Sequence, residues 1–143
     1  MAARPRVGVG GVVIYDAGVV LIRRGKEPLL GEWSIPGGTL ELGETLEEGL
    51  RRELKEETGL EVEPLQLLTV LDRIDREGEA VRFHYVIVDY LCERRGGELR
   101  AGSDASEVAL VSLSDLDAYG LTAEAAEVVR KGFARALPPD ASG

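Results

Sequence analysis

The sequence predicts an α/β fold, with a mixed β-sheet sandwiched between helices, and three observations carry this. β-branched runs at residues 7–14, 19–22, 62–74, 81–92 and 108–113 read as strands. Residues 46–58 and 123–136 carry apolar side chains at helical spacing. The strands fall before, between and after these two helices, which does not fit a regular parallel alternation.

The first two strands are separated by Tyr15, Asp16, Ala17 and Gly18, a hairpin signal. Arg23 and Arg24 close the second strand, and residues 25–32 read as a loop. Residues 33–38, Trp-Ser-Ile-Pro-Gly-Gly, form a short extended piece ending in a turn suited to glycine, and residues 39–42 are expected to resume a strand. Thr45 followed by Glu48 is a capping-box signature, and Gly59 supplies the left-handed residue that commonly ends a helix. The strands at 62–74 and 81–92 flank a polar turn, residues 75–79, and should pair antiparallel. Residues 93–106 read as a polar, glycine-containing connection, and residues 137–143 as a frayed tail. There is no internal repeat and no linker, so residues 1–143 are read as a single domain.

Composition bounds the function. Net charge is −9, from 17 basic and 26 acidic residues, which argues against duplex nucleic acid as a partner because phosphate neutralisation dominates such binding. No apolar run is long enough to cross a bilayer and no basic-then-apolar segment opens the sequence, so a soluble cytoplasmic protein is expected. The single cysteine, Cys92, lies in an apolar strand and reads as a buried, inert thiol. His84, the single histidine, shares a strand face with Val86 and Val88 and reads as structural.

The helix at 46–58 carries the chemistry. At about 100° per residue, Leu46, Leu50 and Leu54 form one stripe. Glu53 and Glu57 lie at its edge with Glu56 one step further round, while Glu47, Arg51, Lys55 and Thr58 project to the other side. Carboxylates three and four apart repel, and those in the last turn oppose the helix dipole. A segment with seven acidic and three basic residues between Gly38 and Leu60 needs a positive partner, and a divalent cation fits best. A solvated charged face would instead have placed the three glutamates among Arg51 and Lys55.

The full spacing is Gly38, five residues, Glu44, seven residues, then Arg52-Glu53-Leu54-Lys55-Glu56-Glu57-Thr58-Gly59-Leu60. This resembles the Nudix box of the Nudix hydrolases, MutT-like or ADP-ribose pyrophosphatase-like, without a mismatch, and residues 33–37 resemble the family's approach to it. The resemblance covers residues 31–60 directly. It implies a Nudix α/β/α sandwich. The activity it implies is a pyrophosphohydrolase that needs magnesium or manganese and acts on a nucleoside diphosphate linked to another moiety. That substrate would be a sugar nucleotide such as ADP-ribose or a nucleoside triphosphate, and a nucleoside monophosphate would be released. The implied metal ligands are Glu53, Glu56, Glu57 and the Gly37 carbonyl, with Gly38, Glu44, Arg52 and Gly59 as structural support. The implied general base is Glu53 or Glu107, the latter just before the strand at 108–113. Arg23, Trp33, Arg73 and Arg82 are candidates for substrate contact.

ADP-ribose-cleaving relatives often carry a proline about sixteen residues beyond the box, where this chain has Asp75-Arg76, a departure that weighs against ADP-ribose itself. Residues 72–74 and 84–90 are nevertheless similar to compact bacterial members placed with sugar-nucleotide pyrophosphatases. The family also contains dimers, and domains that bind nucleotides and regulate without hydrolysis. The latter is the alternative reading, although their boxes are often degraded and this one is intact.

Overall fold

The computed structural model describes residues 4–26, 29–102 and 104–136. The expected frayed tail at 137–143, and Glu27 and Pro28 of the expected loop, lie outside the described residues. Seven strands, β1 (Arg6–Tyr15), β2 (Gly18–Arg24), β3 (Trp33–Ser34), β4 (Gly37–Thr39), β5 (Leu60–Glu77), β6 (Ala80–Gly97) and β7 (Ala105–Ser112), combine with α1 (Leu46–Thr58) and α2 (Ala123–Ala136). A 3-10 helix, Leu113–Tyr119, joins β7 to α2.

The sheet is mixed because β1 pairs in parallel with β6 and antiparallel with β2 and β4. Its main path runs β3-β2-β1-β6-β5, with β4 beside β1 and β7 beside β2. The β1–β2 hairpin turns at Asp16 and Ala17, whose φ values of 49° and 63° match the two-residue turn that fits strand twist. Strand alternation divides β1 between two apolar layers. Val9 and Val13 pack with Leu50 and Leu54 of α1, whereas Val12 packs with Val128, Val129 and Phe133 of α2. These are the helix, sheet and helix layers that the sequence predicts.

Local signals place α1. The Thr45 hydroxyl accepts from the Glu48 amide, the Glu48 carboxylate accepts from the Thr45 amide, and Gly59 ends the helix at φ 76°. Together these satisfy orphan groups at both helix ends and fix the helical register. Gly11 lets α1 close on the sheet, since a Cβ there would meet Leu50, Leu54 and Cys92 at 3.2–3.3 Å.

Four expectations need correction. The extended piece after Pro36 is Gly37–Thr39 rather than residues 39–42, because its partners on β1 are Gly8 to Gly10, and Leu42 lies fully exposed. The polar turn contracts to Gly78 and Glu79, and β5 and β6 each extend to 18 residues. Backbone pairing carries this hairpin past the end of its apolar pattern, with bulges absorbing the irregular side-chain order. Half of the expected connection at 93–106 is absorbed the same way, by β6 running to Gly97 and β7 starting at Ala105. Thr58 is buried, not on the outer face, because the chain turns back at Gly59 and covers it. Its hydroxyl donates to the Leu54 carbonyl at 2.6 Å and accepts from the Leu60 amide at 3.2 Å.

Cys92 is 1% exposed, and burial pushes its thiol up to about 12, in keeping with an inert core residue. Among the described residues, no helix is long and apolar enough to cross a membrane. Leu50 is completely buried between α1 and β1, so Leu50→Ala should lower stability by about 2 to 4 kcal/mol, read from the denaturation midpoint. A neutral midpoint would contradict the assigned core face.

Candidate metal and nucleotide site

The inner edge of α1 meets β4, and glycine makes the meeting possible. A Cβ at Gly38 would lie 2.2 Å from Glu53 Oε2, so a side chain there would evict the carboxylate. The Gly37 amide donates to Glu57 Oε1 at 2.6 Å. Glu57 is only 5% exposed. Burial, with the Glu53 and Asp104 charges adding to it, raises its carboxyl to about 7 against the opposing Gly37 hydrogen bond. Burial also raises Glu53, although Arg52 opposes it.

Arg52 organises the acids from behind. Its guanidinium donates twice to Glu44, at 2.6 and 2.9 Å, and also to Glu53 at 2.8 Å, Glu56 at 3.1 Å and the Thr39 carbonyl at 3.1 Å. The bidentate pair holds Glu44 down to about 2. Arg52 thereby ties α1 to the loop before it and to the end of β4, and fixes one Glu53 oxygen.

The connection from β6 to β7 closes over the end of α1, with the amides of Arg100 and Gly102 donating to the carbonyls of Thr58 and Glu57 at 2.9 Å. This brings Asp104 to the rim of a cavity of about 730 Å³ that Glu53 and Glu57 also line. Lys26 pairs with Asp104 at 2.9 Å and, with Arg24, puts positive charge at the same cavity.

Of the sequence-derived candidates, Gly37, Gly38, Glu53, Glu57, Trp33 and Arg73 line this cavity. Trp33 is engaged edge-on with Tyr119, ring centroids 5.0 Å apart, and packs on the α2-side core. The Glu56 side chain is 55% exposed and held by Arg52. Gly59 serves as the cap of α1. Glu107 and Arg23 pair with each other at 2.9 Å on neighbouring strands, and neither lines the cavity. Arg82 pairs with Asp75 and with Glu77 near the hairpin tip, also outside it. Among the described residues, no three His, Cys, Asp or Glu side chains stand gathered as a preformed ligand sphere; Arg52 and the Gly37 amide hold these carboxylates.

Of the cavity acids that escaped the sequence reading, Asp104 and Asp89 matter most, the first through its charge on Glu53 and Glu57 and the second through its burial. Asp104 lies three residues before Glu107, where only the loop's return over α1 distinguishes the two. Asp89 sits on β6, 5% exposed, with burial raising its carboxyl to about 6 against the pull of Arg73. An acid on the same alternating strand face as Tyr85 and Ile87 was the available signal.

The NUDIX domain model matches residues 4–132. The chain is 40% identical over 112 residues to an ADP-ribose pyrophosphatase of Methanocaldococcus jannaschii, covering 78% of this chain and 64% of that protein. It is 40% identical over 93 residues to the 8-oxo-dGDP phosphatase NUDT18 of Homo sapiens, covering 64% and 26%. Across the curated relatives Methanocaldococcus jannaschii ADP-ribose pyrophosphatase, Bacillus subtilis YjhB and the Streptomyces ambofaciens MutT-like protein, the matched region spans 64%, 49% and 60% of their lengths. Among solved structures, the MutT NUDIX hydrolase of Burkholderia pseudomallei superposes with a TM-score of 0.78 at 32% identity, covering 90% of this chain and 98% of that one. The NUDIX domain of Shewanella oneidensis NrtR, complexed with ADP ribose, shares the fold with a TM-score of 0.75 at 22% identity, covering 94% and 90%.

The raised carboxyls predict a pH signature for the metal-free protein. Because Glu57 lies above its ordinary 4.5 when folded, its stabilising contribution is whole below about 4.5 and is lost as pH rises through about 7. Asp89, raised from 3.8 to about 6, acts in the same direction. Glu44 acts oppositely, but its loss falls between 4.5 and about 2 as pH drops, outside that window. In chelator, urea midpoints should therefore fall as pH rises from about 4.5 to about 7, and Glu57→Gln should flatten the fall. A slope unchanged by the substitution would contradict this.

Proposed function

The chain belongs to the Nudix hydrolase family, and on that premise we propose that it hydrolyses a phosphoanhydride bond in a nucleoside diphosphate linked to another moiety. The product would be a nucleoside monophosphate. One observation carries this reading: two carboxylates, half-buried Glu53 and buried Glu57, stand on one helix and line a cavity large enough for a nucleotide.

The donor set suits a hard divalent cation, Mg2+ or Mn2+, because it is built from oxygen atoms and concentrates negative charge that the chain only partly offsets. Glu53, Glu56, Glu57 and the Gly37 carbonyl would hold it. When bound, such an ion supplies charge neutralisation at the phosphates and a more acidic water. The remaining work belongs to the chain. Arg52 fixes the Glu53 rotamer. Glu53 then serves as the base that takes the proton of the attacking water. For the second candidate base the cavity favours Asp104 over Glu107, since Asp104 lines it and Glu107 is committed to Arg23 on the outside. Arg24, Lys26 and Arg73 supply positive potential for an anionic substrate on a chain of net charge −9.

Two leaving groups fit this site, the sugar phosphate of a sugar nucleotide such as ADP-ribose and the pyrophosphate of a nucleoside triphosphate. The relatives named for ADP-ribose and for 8-oxo-dGDP support diphosphate cleavage in common and differ in the base they carry.

A panel of sugar nucleotides and triphosphates with magnesium should release nucleoside monophosphate, and Glu57→Gln should abolish most of that turnover. Retained activity at saturating magnesium would remove Glu57 from the metal role. Arg52→Lys keeps the charge but loses the fork, and should lower activity by about 10- to 100-fold. Nucleotide binding with no release from any substrate would favour the non-catalytic module.

A further inference from the structure

Asp89 is the one strongly buried acid in the cavity that the proposed hydrolysis does not use. It is 5% exposed and lines the cavity, and its carboxylate forms no hydrogen bond or ion pair among the described residues. Its place is built by glycine. Gly10 faces it in register on β1, and a Cβ there would fall 2.3 Å from Asp89 Oδ1. Along the same face of β6 lie Ile87, Tyr85 and Phe83, with Leu71 opposite Ile87 and Arg73 opposite Tyr85 on β5. The site is therefore a carboxylate that shares a strand face with apolar and aromatic side chains, on a different element from the glutamates of α1.

We propose that Asp89 is the base-reading residue of this cavity and accepts two adjacent N–H donors from a guanine-type nucleobase edge. The inference rests on the reading that the cavity holds a nucleotide. An ionised carboxylate offers acceptors only, on both of its oxygens. Guanine presents N1–H and N2–H side by side, so both oxygens are satisfied in one plane. Adenine presents one N–H beside the N1 lone pair, which would face a carboxylate oxygen and repel it. A ribose diol could also supply two donors, but its ring oxygen and remaining polar groups would then lie against Ile87 and Leu71 without partners. A planar base instead meets such walls with its ring faces and keeps its remaining acceptors in the ring plane.

Binding of the monophosphates GMP, IMP and AMP by calorimetry tests this without requiring turnover. GMP should bind about tenfold or more tightly than AMP, with IMP, which lacks the N2 amino group, between them. Asp89→Asn presents one donor and one acceptor, so it should weaken GMP by a similar factor while leaving AMP equal or tighter. Gly10→Ala should also weaken GMP, by displacing the carboxylate, and circular dichroism would verify that both variants fold. Equal affinities for GMP and AMP, or an equal loss of both in Asp89→Asn, would overturn the proposal while leaving a nucleotide site in place. A preference for GMP over dGMP that disappears in Asp89→Asn would also overturn it, by assigning the carboxylate to the ribose. Failure of all three nucleotides to bind would overturn the nucleotide reading itself, and this inference with it.

Discussion

A carboxylate that is taken out of water and given one hydrogen bond is a constraint to which much of this structure responds. Burial raises the Glu57 carboxyl, Glu53 and Asp104 raise it further, and the Gly37 amide that holds it and the Arg24 charge pull it down. Retaining such a group costs stability in the metal-free chain, and the surrounding architecture is arranged to keep it in place. The capping box and Gly59 set the register of α1, so that Leu50 and Leu54 enter the core while the acids meet β4. Gly38 leaves room for the Glu53 carboxylate, and Gly37 lets β4 close on the β1 backbone at Val9 and Gly10.

Arg52 answers the same constraint from the other side. A lysine could neutralise one acid, whereas the guanidinium spreads its donors over Glu44, Glu53, Glu56 and the Thr39 carbonyl. The carboxylates are thus held by directed hydrogen bonds on the side away from the cavity. The cavity itself is lined both by the acids of α1 and, on β6, by Asp89.

What the sequence disclosed depended on how local the determining interactions were. The limits of α1 follow from Thr45, Glu48 and Gly59, all within the helix or beside it, and these limits match the structure. The β1–β2 hairpin was legible for the same reason. The wheel also separated Glu53 and Glu57 from the more exposed Glu56, because helical geometry alone sets that angle. Thr58 defeated the wheel, since its burial comes from the chain doubling back rather than from its angle on α1. Asp89 could not be placed in the cavity until the parallel pairing of β1 with β6 brought Gly10 beside it, a contact across most of the sequence. Glu107 and Asp104 differ by three positions, and only the fold shows which one faces the acids.

If Glu53 and Glu57 are held together to bind a divalent cation, the metal must stabilise the fold through them. A ligand that binds only the folded state raises the unfolding midpoint in proportion to the logarithm of its concentration. Titrating magnesium or manganese into the chelator-treated protein at a pH above the Glu57 transition should raise the wild-type midpoint progressively and leave that of Glu57→Gln almost unmoved. A wild-type midpoint insensitive to either metal, or an equal rise in the variant, would contradict the account.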